Sequence, residues 1–257
     1  MAHLTYKLRD GNQIPILGLG TWALRGDRCK FIVKRAIELG YTHIDTADAY
    51  GNHREVGEAI KDFDRSSIFL VSKVRPSNLQ YRTVLRDCHR MLMELDTSYL
   101  DLLLIHWPNM NIPIDDTLRA FNELVDKQQI RSIGVSNFSN QQLANALRAE
   151  RHPITNNQVL LHPYDYDQEL LTFCKSNDVI VTAYSSLARG NILTTPIIQD
   201  MARTYERTPA QICLRWGVQK GVVVIPKTSS EARLRENMDI FDWELSQTDM
   251  TRLNFLT

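Results

Sequence analysis

Eight short apolar runs, spread along the whole chain, constrain its fold more than any other feature. They are Ile16–Gly20, Thr42–Asp45, Ile68–Lys73, Asp101–His106, Ser132–Ser136, Thr155–Gln158, Val179–Ala183 and Val222–Ile225. Runs this short and this apolar read as strands buried on both faces. Segments with helical spacing lie between them. Phe31-Ile32-Val33 with Ala36-Ile37 and Leu39 mark one, and Val84-Leu85, Cys88, Met91-Leu92 and Leu95 a second. Leu118, Phe121 and Leu124-Val125 mark a third, Leu143 with Ala146-Leu147 a fourth, and Leu170-Leu171 with Phe173-Cys174 a fifth. The interval from Val179 to Val222 is longer and holds two helical stretches, near Ile197–Tyr205 and over Pro209–Gln219. Thr208 before Pro209 is a cap followed by a first-turn proline.

Strands alternating with helices predict an α/β fold with a parallel sheet, and eight strands close a (β/α)8 TIM barrel. A doubly wound open sheet is the alternative, and it requires one of the eight runs to be misread. Asp10-Gly11-Asn12, between Tyr6-Lys7-Leu8 and Ile14-Pro15-Ile16, predicts an N-terminal β-hairpin plugging the barrel floor. There is no low-complexity stretch and no linker rich in Pro, Gly or Ser. A single domain spanning 1–257 follows.

Lys+Arg and Asp+Glu both total 30, so no net field draws nucleic acid or an anionic membrane surface. No apolar run approaches a bilayer span, and residues 1–12 lack an apolar signal core. The four cysteines (Cys29, Cys88, Cys174, Cys213) are scattered, which fits reduced thiols, a cytoplasmic location and no metal site.

Several runs end in a reactive side chain. Asp45 closes one, Tyr50 follows shortly, Lys73 closes another and His106 a third. Taken singly, Asp45 and Lys73 would be a structural ion pair, Tyr50 a helix-entry aromatic and His106 a core imidazole. Together, at the carboxyl ends of barrel strands, they make a proton-transfer site. Lys73 is expected to lower the pKa of Tyr50, with Asp45 holding the lysine charged. A phenol so placed can protonate a carbonyl oxygen while hydride reaches the carbon. A neutral His106 can hydrogen-bond the same oxygen and orient it.

These residues sit within longer motifs that resemble the aldo-keto reductase family. They are Gly18-Leu19-Gly20-Thr21-Trp22, His43-Ile44-Asp45-Thr46-Ala47-Asp48-Ala49-Tyr50-Gly51-Asn52, Asp101-Leu102-Leu103-Leu104-Ile105-His106-Trp107-Pro108, Ile133-Gly134-Val135-Ser136-Asn137-Phe138, and Ile225-Pro226-Lys227-Thr228. The resemblance runs on to Phe241-Asp242-Trp243-Glu244-Leu245-Ser246, nearly the whole chain. It implies a barrel enzyme that reduces aldehydes and ketones with NADPH, with Asp45, Tyr50, Lys73 and His106 as the catalytic set and Tyr50 as proton donor.

By the same resemblance, Gly20, Thr21 and Trp22 line the nicotinamide end. Ser136, Asn137 and Gln158 bind the carboxamide, and Tyr184 stacks on the ring. Ser185, Leu187 and Gly190 approach the pyrophosphate. Lys227, Thr228, Ser229 and Arg233 bring two cations and two hydroxyls to the 2′-phosphate, at the start of a helix running from Ser230. Glu236 and Asn237 match positions near the adenine. No acidic residue stands at the phosphate position, which favours NADPH over NADH. The alternative for Lys227, Arg233 and Arg235 is a solvated helix face.

Trp22, Tyr50, His106 and Trp107 are the expected substrate contacts, with barrel-rim packing as the plain alternative for the aromatics. Many relatives carry a long tail over the pocket. This sequence ends at Thr257 after a helical stretch near Gln247–Asn254, and the loops Pro108–Asp115 and Ser185–Leu193 are brief, so an open pocket of broad specificity is expected. A small carbonyl compound is the expected partner of a monomer. A nucleotide-sensing regulatory subunit and an unrelated lyase or isomerase barrel are the competing functions. The first would carry an extra partner-binding segment, which the sequence does not show, and the second would bind no nicotinamide cofactor.

Overall fold

The eight-stranded parallel sheet runs in chain order, each strand bonded to the next. A computed structural model describes residues 4–256, and Met1–His3 and Thr257, included in the expected domain of 1–257, lie outside the described residues. In order, the elements are β1 (Thr5–Lys7), β2 (Gln13–Pro15), β3 (Leu19–Gly20), α1 (Gly26–Leu39), β4 (His43–Asp45), a 3-10 turn (Asp48–Tyr50), α2 (His53–Ile60) and β5 (Phe69–Val74). Then come α3 (Tyr81–Glu94), β6 (Leu100–Ile105), α4 (Ile114–Asp126), β7 (Ile130–Ser136), α5 (Asn140–Ala149), β8 (Ile154–Leu160), α6 (Gln168–Ser176) and β9 (Ile180–Tyr184). A 3-10 segment (Ala188–Thr194) leads to α7 (Pro196–Thr204), α8 (Pro209–Gln219), β10 (Val223–Val224), α9 (Glu231–Met238) and α10 (Gln247–Asn254).

The sheet closes where the first run meets the last. Leu17 bridges Val224 in parallel, Gly18 N–H donates to Val224 O at 2.9 Å, and Val224 N–H donates to Ile16 O at 2.9 Å. The run Ile16–Gly20 therefore divides its bonds. On one side Gly18 and Gly20 donate to Val224 O and Pro226 O, and on the other Leu19–Gly20 pair with β4. Only Leu19–Gly20 form ladder pairs with β4, and β3 is accordingly shorter than the apolar pattern predicts. A Cβ on Gly20 would lie 2.7 Å from Ile225 O, so glycine is what lets the seam close.

The hairpin pairs Tyr6 with Ile14, and Gly11 takes a positive φ of 93° in its turn. Leu8 and Ile14 enter the barrel and pack on Phe69, Val71, Leu102, Leu104, Val223 and Ile225. Leu70, Leu103, Ile105, Ile133 and Val135 face the other way, toward the helices. The period-two alternation of strands produces both layers. Going up β5, the inward positions are Phe69, Val71 and Lys73, so this strand runs from apolar at the floor to charged at the mouth.

Other elements also differ from expectation. Helix α2 had no counterpart in the sequence reading. Its core contacts Val56, Ala59 and Ile60 fit one helical face, but eight residues are too few for a repeat to stand out. Strand β8 extends beyond Thr155–Gln158, to Ile154–Leu160, and the side-chain amide nitrogens of its interior asparagines are engaged, although Asn156 Oδ1 is buried without a partner among the described residues. Asn156 Nδ2 donates to Thr182 Oγ1 at 2.8 Å and Asn157 Nδ2 to Phe138 O at 3.0 Å. Thr208 caps α8 in a reciprocal box with Gln211, with Pro209 in its first turn.

The plug makes the floor sensitive to volume. Leu104 is fully buried beneath the site, so Leu104→Ala should lower unfolding stability by about 2–5 kcal/mol. Urea denaturation measures this, and a loss well under 1 kcal/mol would mean the floor is loosely packed.

Candidate active site

The ends of the inward columns converge. Lys73 is fully buried, and its ammonium donates to Asp45 Oδ1 and to Thr46 O at 2.9 Å. Asp45 Oδ2 accepts from Gln158 Nε2 at 2.8 Å. Burial pulls the lysine down, but Asp45 and Tyr50 outweigh it and hold the group above the usual lysine range. The pair is thus a fixed charge with every carboxylate oxygen engaged.

Tyr50 stands over this pair on the short turn Asp48–Tyr50. Its ring centroid is 5.1 Å from Lys73 Nζ and 5.8 Å from that of His106, edge to face. Burial raises the Tyr50 phenol, and the Lys73 charge opposes it without winning, so the net shift is upward. This is opposite to the lowered pKa expected from the lysine alone. Desolvation of the phenolate was the omitted effect. Burial, then the Lys73 charge, pushes His106 down to about 4, which keeps the imidazole neutral at pH 7.

A hydrogen-bonded rim continues from there. Ser136 Oγ donates to Gln158 O at 2.7 Å. Asn137, at a positive φ of 63°, donates from Nδ2 to His106 O and to Ser136 Oγ, both at 3.0 Å. Tyr184 OH donates to Asn137 Oδ1 at 2.9 Å. Strands β6 to β9 are thereby tied together at the mouth, and Tyr184 lines the cavity.

One cavity of about 890 Å³ joins these groups to the start of α9. Gly20, Trp22, Asp45, Tyr50, His106, Trp107, Ser136, Asn137, Gln158 and Tyr184 line one end. Ser185, Leu187 and Gly190 line the middle, and Lys227, Thr228, Ser229, Arg233, Glu236 and Asn237 the other end. Lys73 and Thr21 do not reach the wall. Lys73 sits behind Asp45, and Thr21, fully buried, bonds Asp45 O from both its N–H and its hydroxyl at 3.0 Å. Trp22 and Trp107 are half-exposed on the rim.

The far end is electropositive. Among the described residues Lys227 and Arg233 pair with no carboxylate, while the nearby Arg35 and Arg235 pair with Glu231. Thr228 Oγ1 accepts from Ser230 N at 3.0 Å and shapes the entry to α9. Glu236 accepts from Thr208 Oγ1 at 2.6 Å. Two free cations beside hydroxyls suit a phosphate, and the rim amides and Tyr184 suit a flat amide-bearing ring, so the residues present fit a nicotinamide dinucleotide.

Arg189 was missed from the sequence. Its guanidinium lies 5.2 Å from the Trp22 ring centroid, so the Ala188–Thr194 segment reaches across the cleft. Ala188, Arg189 and Gly190 all have positive φ, a backbone shape that residue type announces only at the glycine. A second cavity of about 320 Å³ opens at the floor, lined by Thr5, Ser66, Asp101 and Arg131. Asp101 and Arg131 pair with each other there, far from the mouth. Among the described residues, no helix is long and apolar enough to cross a membrane, and no cluster of His, Cys, Asp or Glu could hold a metal ion.

Comparison with known proteins agrees with this geometry. The model of the Aldo/keto reductase family matches residues 16–256. The glyoxal reductase of Bacillus subtilis is 41% identical, covering 98% of this chain and 92% of its own. Aldo-keto reductase family 1 member A1-A of Danio rerio is 37% identical over 96% of this chain and 87% of its own. The aldose reductase of Schistosoma japonicum superposes with a TM-score of 0.93 at 34% identity, over 98% of this chain and 91% of that one. The chain belongs to the aldo/keto reductase family, an oxidoreductase family that acts on carbonyls and generally uses a nicotinamide cofactor.

Two buried imidazoles set a pH dependence. His43 and His106 are each pushed by burial from 6.5 to about 4. The unfolded chain therefore binds protons more readily between these values, so stability is whole above about 6.5 and falls as pH drops toward 4. Urea midpoints at about pH 7.5 and about pH 5 should differ in favour of the higher pH. An equal or higher midpoint at the lower pH would contradict the burial of these rings.

Proposed function

We propose that this protein, acting as a single-domain monomeric barrel, is an NADPH-dependent reductase of aldehydes and ketones with broad specificity. The observation that carries the reading is the convergence of Tyr50, His106 and the Lys73–Asp45 pair at one end of a cavity whose other end holds unpaired Lys227 and Arg233. Bound there, NADPH supplies the hydride that reduces the carbonyl carbon.

The chain's own residues do the rest. His106, neutral, donates a hydrogen bond to the carbonyl oxygen and fixes its direction. Tyr50, whose raised pKa keeps it protonated at neutral pH, donates its proton to the developing alkoxide. The Lys73 ammonium stabilises the resulting phenolate, and Asp45 and Gln158 keep that ammonium in place. Ser136, Asn137 and Gln158 hold the carboxamide, and Tyr184 lies against the ring. Ser185, Leu187 and Gly190 contact the pyrophosphate, with Glu236 and Asn237 at the adenine. The half-exposed Trp22 and Trp107 give the substrate side apolar walls with few specific polar contacts, which supports tolerance.

Tyr50→Phe should reduce carbonyl turnover by about 10²–10⁴-fold while NADPH still quenches tryptophan fluorescence. Near wild-type turnover would remove Tyr50 from the chemistry. Arg233→Ala should weaken NADPH by roughly 10-fold or more and leave NADH nearly unchanged. Equal losses for both cofactors would dismiss the phosphate assignment.

A further inference from the structure

Tyr50 is carried by an unusually small element. The turn Asp48–Tyr50 has three residues, closed by Tyr50 N–H to Ala47 O at 2.9 Å and Gly51 N–H to Asp48 O at 3.4 Å. A turn this short has no cooperative ladder to hold its orientation. Its direction must come from side-chain ties.

The strongest ties belong to Asp48, which is 5% exposed. Its Oδ2 accepts from Arg75 Nε at 2.7 Å, and its backbone carbonyl accepts from Arg75 Nη2 at 2.8 Å. One guanidinium thus grips both ends of the same residue. Oδ1 accepts from Arg90 Nη2 on α3 at 2.8 Å. Burial alone would raise the Asp48 carboxyl, but Arg90 and Arg75 hold it below the usual carboxylate range. Arg75 immediately follows β5, two positions past Lys73. On the other side of the turn, His53 Nε2 meets Ser72 Oγ at 2.9 Å, one position before Lys73. The segment bearing the phenol is therefore pinned to both flanks of the lysine.

We propose that Asp48 is a positioning residue for proton donation, with Arg75 as its partner: the fork from Arg75 to Asp48 sets the Tyr50 hydroxyl against the Lys73 ammonium. This rests on the reading of Tyr50 as proton donor. Neither Asp48 nor Arg75 lines the cavity, so both act through Tyr50 and not on substrate. The fork needs the planar geometry of arginine, because a lysine at 75 would keep the charge and lose the two-point grip.

The test is single-turnover reduction by NADPH-loaded enzyme, with the rate expressed per bound cofactor so that any misfolded fraction drops out. Asp48→Asn and Arg75→Lys should each slow that step by on the order of 10- to 100-fold, with the NADPH dissociation constant within about twofold of wild type. Arg75 is 45% exposed in its side chain, so its lysine variant can be studied even if Asp48→Asn does not fold. A slowing of less than about fivefold in a folded variant, or a loss confined to NADPH affinity, overturns the proposal. Tyr50→Phe is run alongside. If it keeps full rate, the reading of Tyr50 fails, whereas a dead Tyr50→Phe beside fully active Asp48 and Arg75 variants defeats only the positioning role.

Discussion

A fully buried ammonium is the constraint on which the mouth of this barrel is built. Taking Lys73 and Asp45 out of water costs several kcal/mol per ion, and the cost is offset only when every donor and acceptor finds a partner. The structure meets that condition from three strands. Asp45 comes from β4, Lys73 from β5, and the Gln158 amide from β8 across the barrel. Thr46 O takes a further ammonium proton, and Thr21 binds Asp45 O. The pair therefore acts as a keystone whose removal would strand a charge in the interior.

Above that keystone, polarity is graded. The hairpin residues Leu8 and Ile14 pack apolar volume into the lower interior, beneath the buried ion pair. The low dielectric strengthens the field of Lys73 at Tyr50 and His106. The same desolvation moves their protons in opposite senses. The phenol holds its proton more tightly, and the imidazole gives its extra one up. The phenol is left protonated and the imidazole neutral, in a single environment.

Much of the architecture was legible because strands buried on both faces are written as continuous apolar runs, and a polar residue closing such a run has few places to go but the mouth. Asp45, Lys73 and His106 announce themselves this way. The seam was less legible, since Ile16–Gly20 shares its bonds between two partners and looks like one ordinary strand. Helix α2 was invisible because its apolar face spans only Val56, Ala59 and Ile60. The direction of the Tyr50 shift was misjudged because sequence reveals the neighbouring cation but not the depth of burial. The Asn137 contacts to His106 and Tyr184 join residues 31 and 47 positions apart, and no local pattern carries such a link. Arg189 over Trp22 escaped for a similar reason, because left-handed backbone at Ala188 and Arg189 has no compositional mark.

The division of labour between strands and loops has a consequence for how such a molecule can change over generations. Asp45, Lys73, Tyr50 and His106 are rooted in the sheet or pinned to it, whereas Trp107 and the Ala188–Thr194 segment belong to connections outside it. Replacing, lengthening or trimming those connections reshapes what may enter without disturbing the charges beneath. Variation can thus accumulate at the rim alone, with the inherited ionic framework untouched.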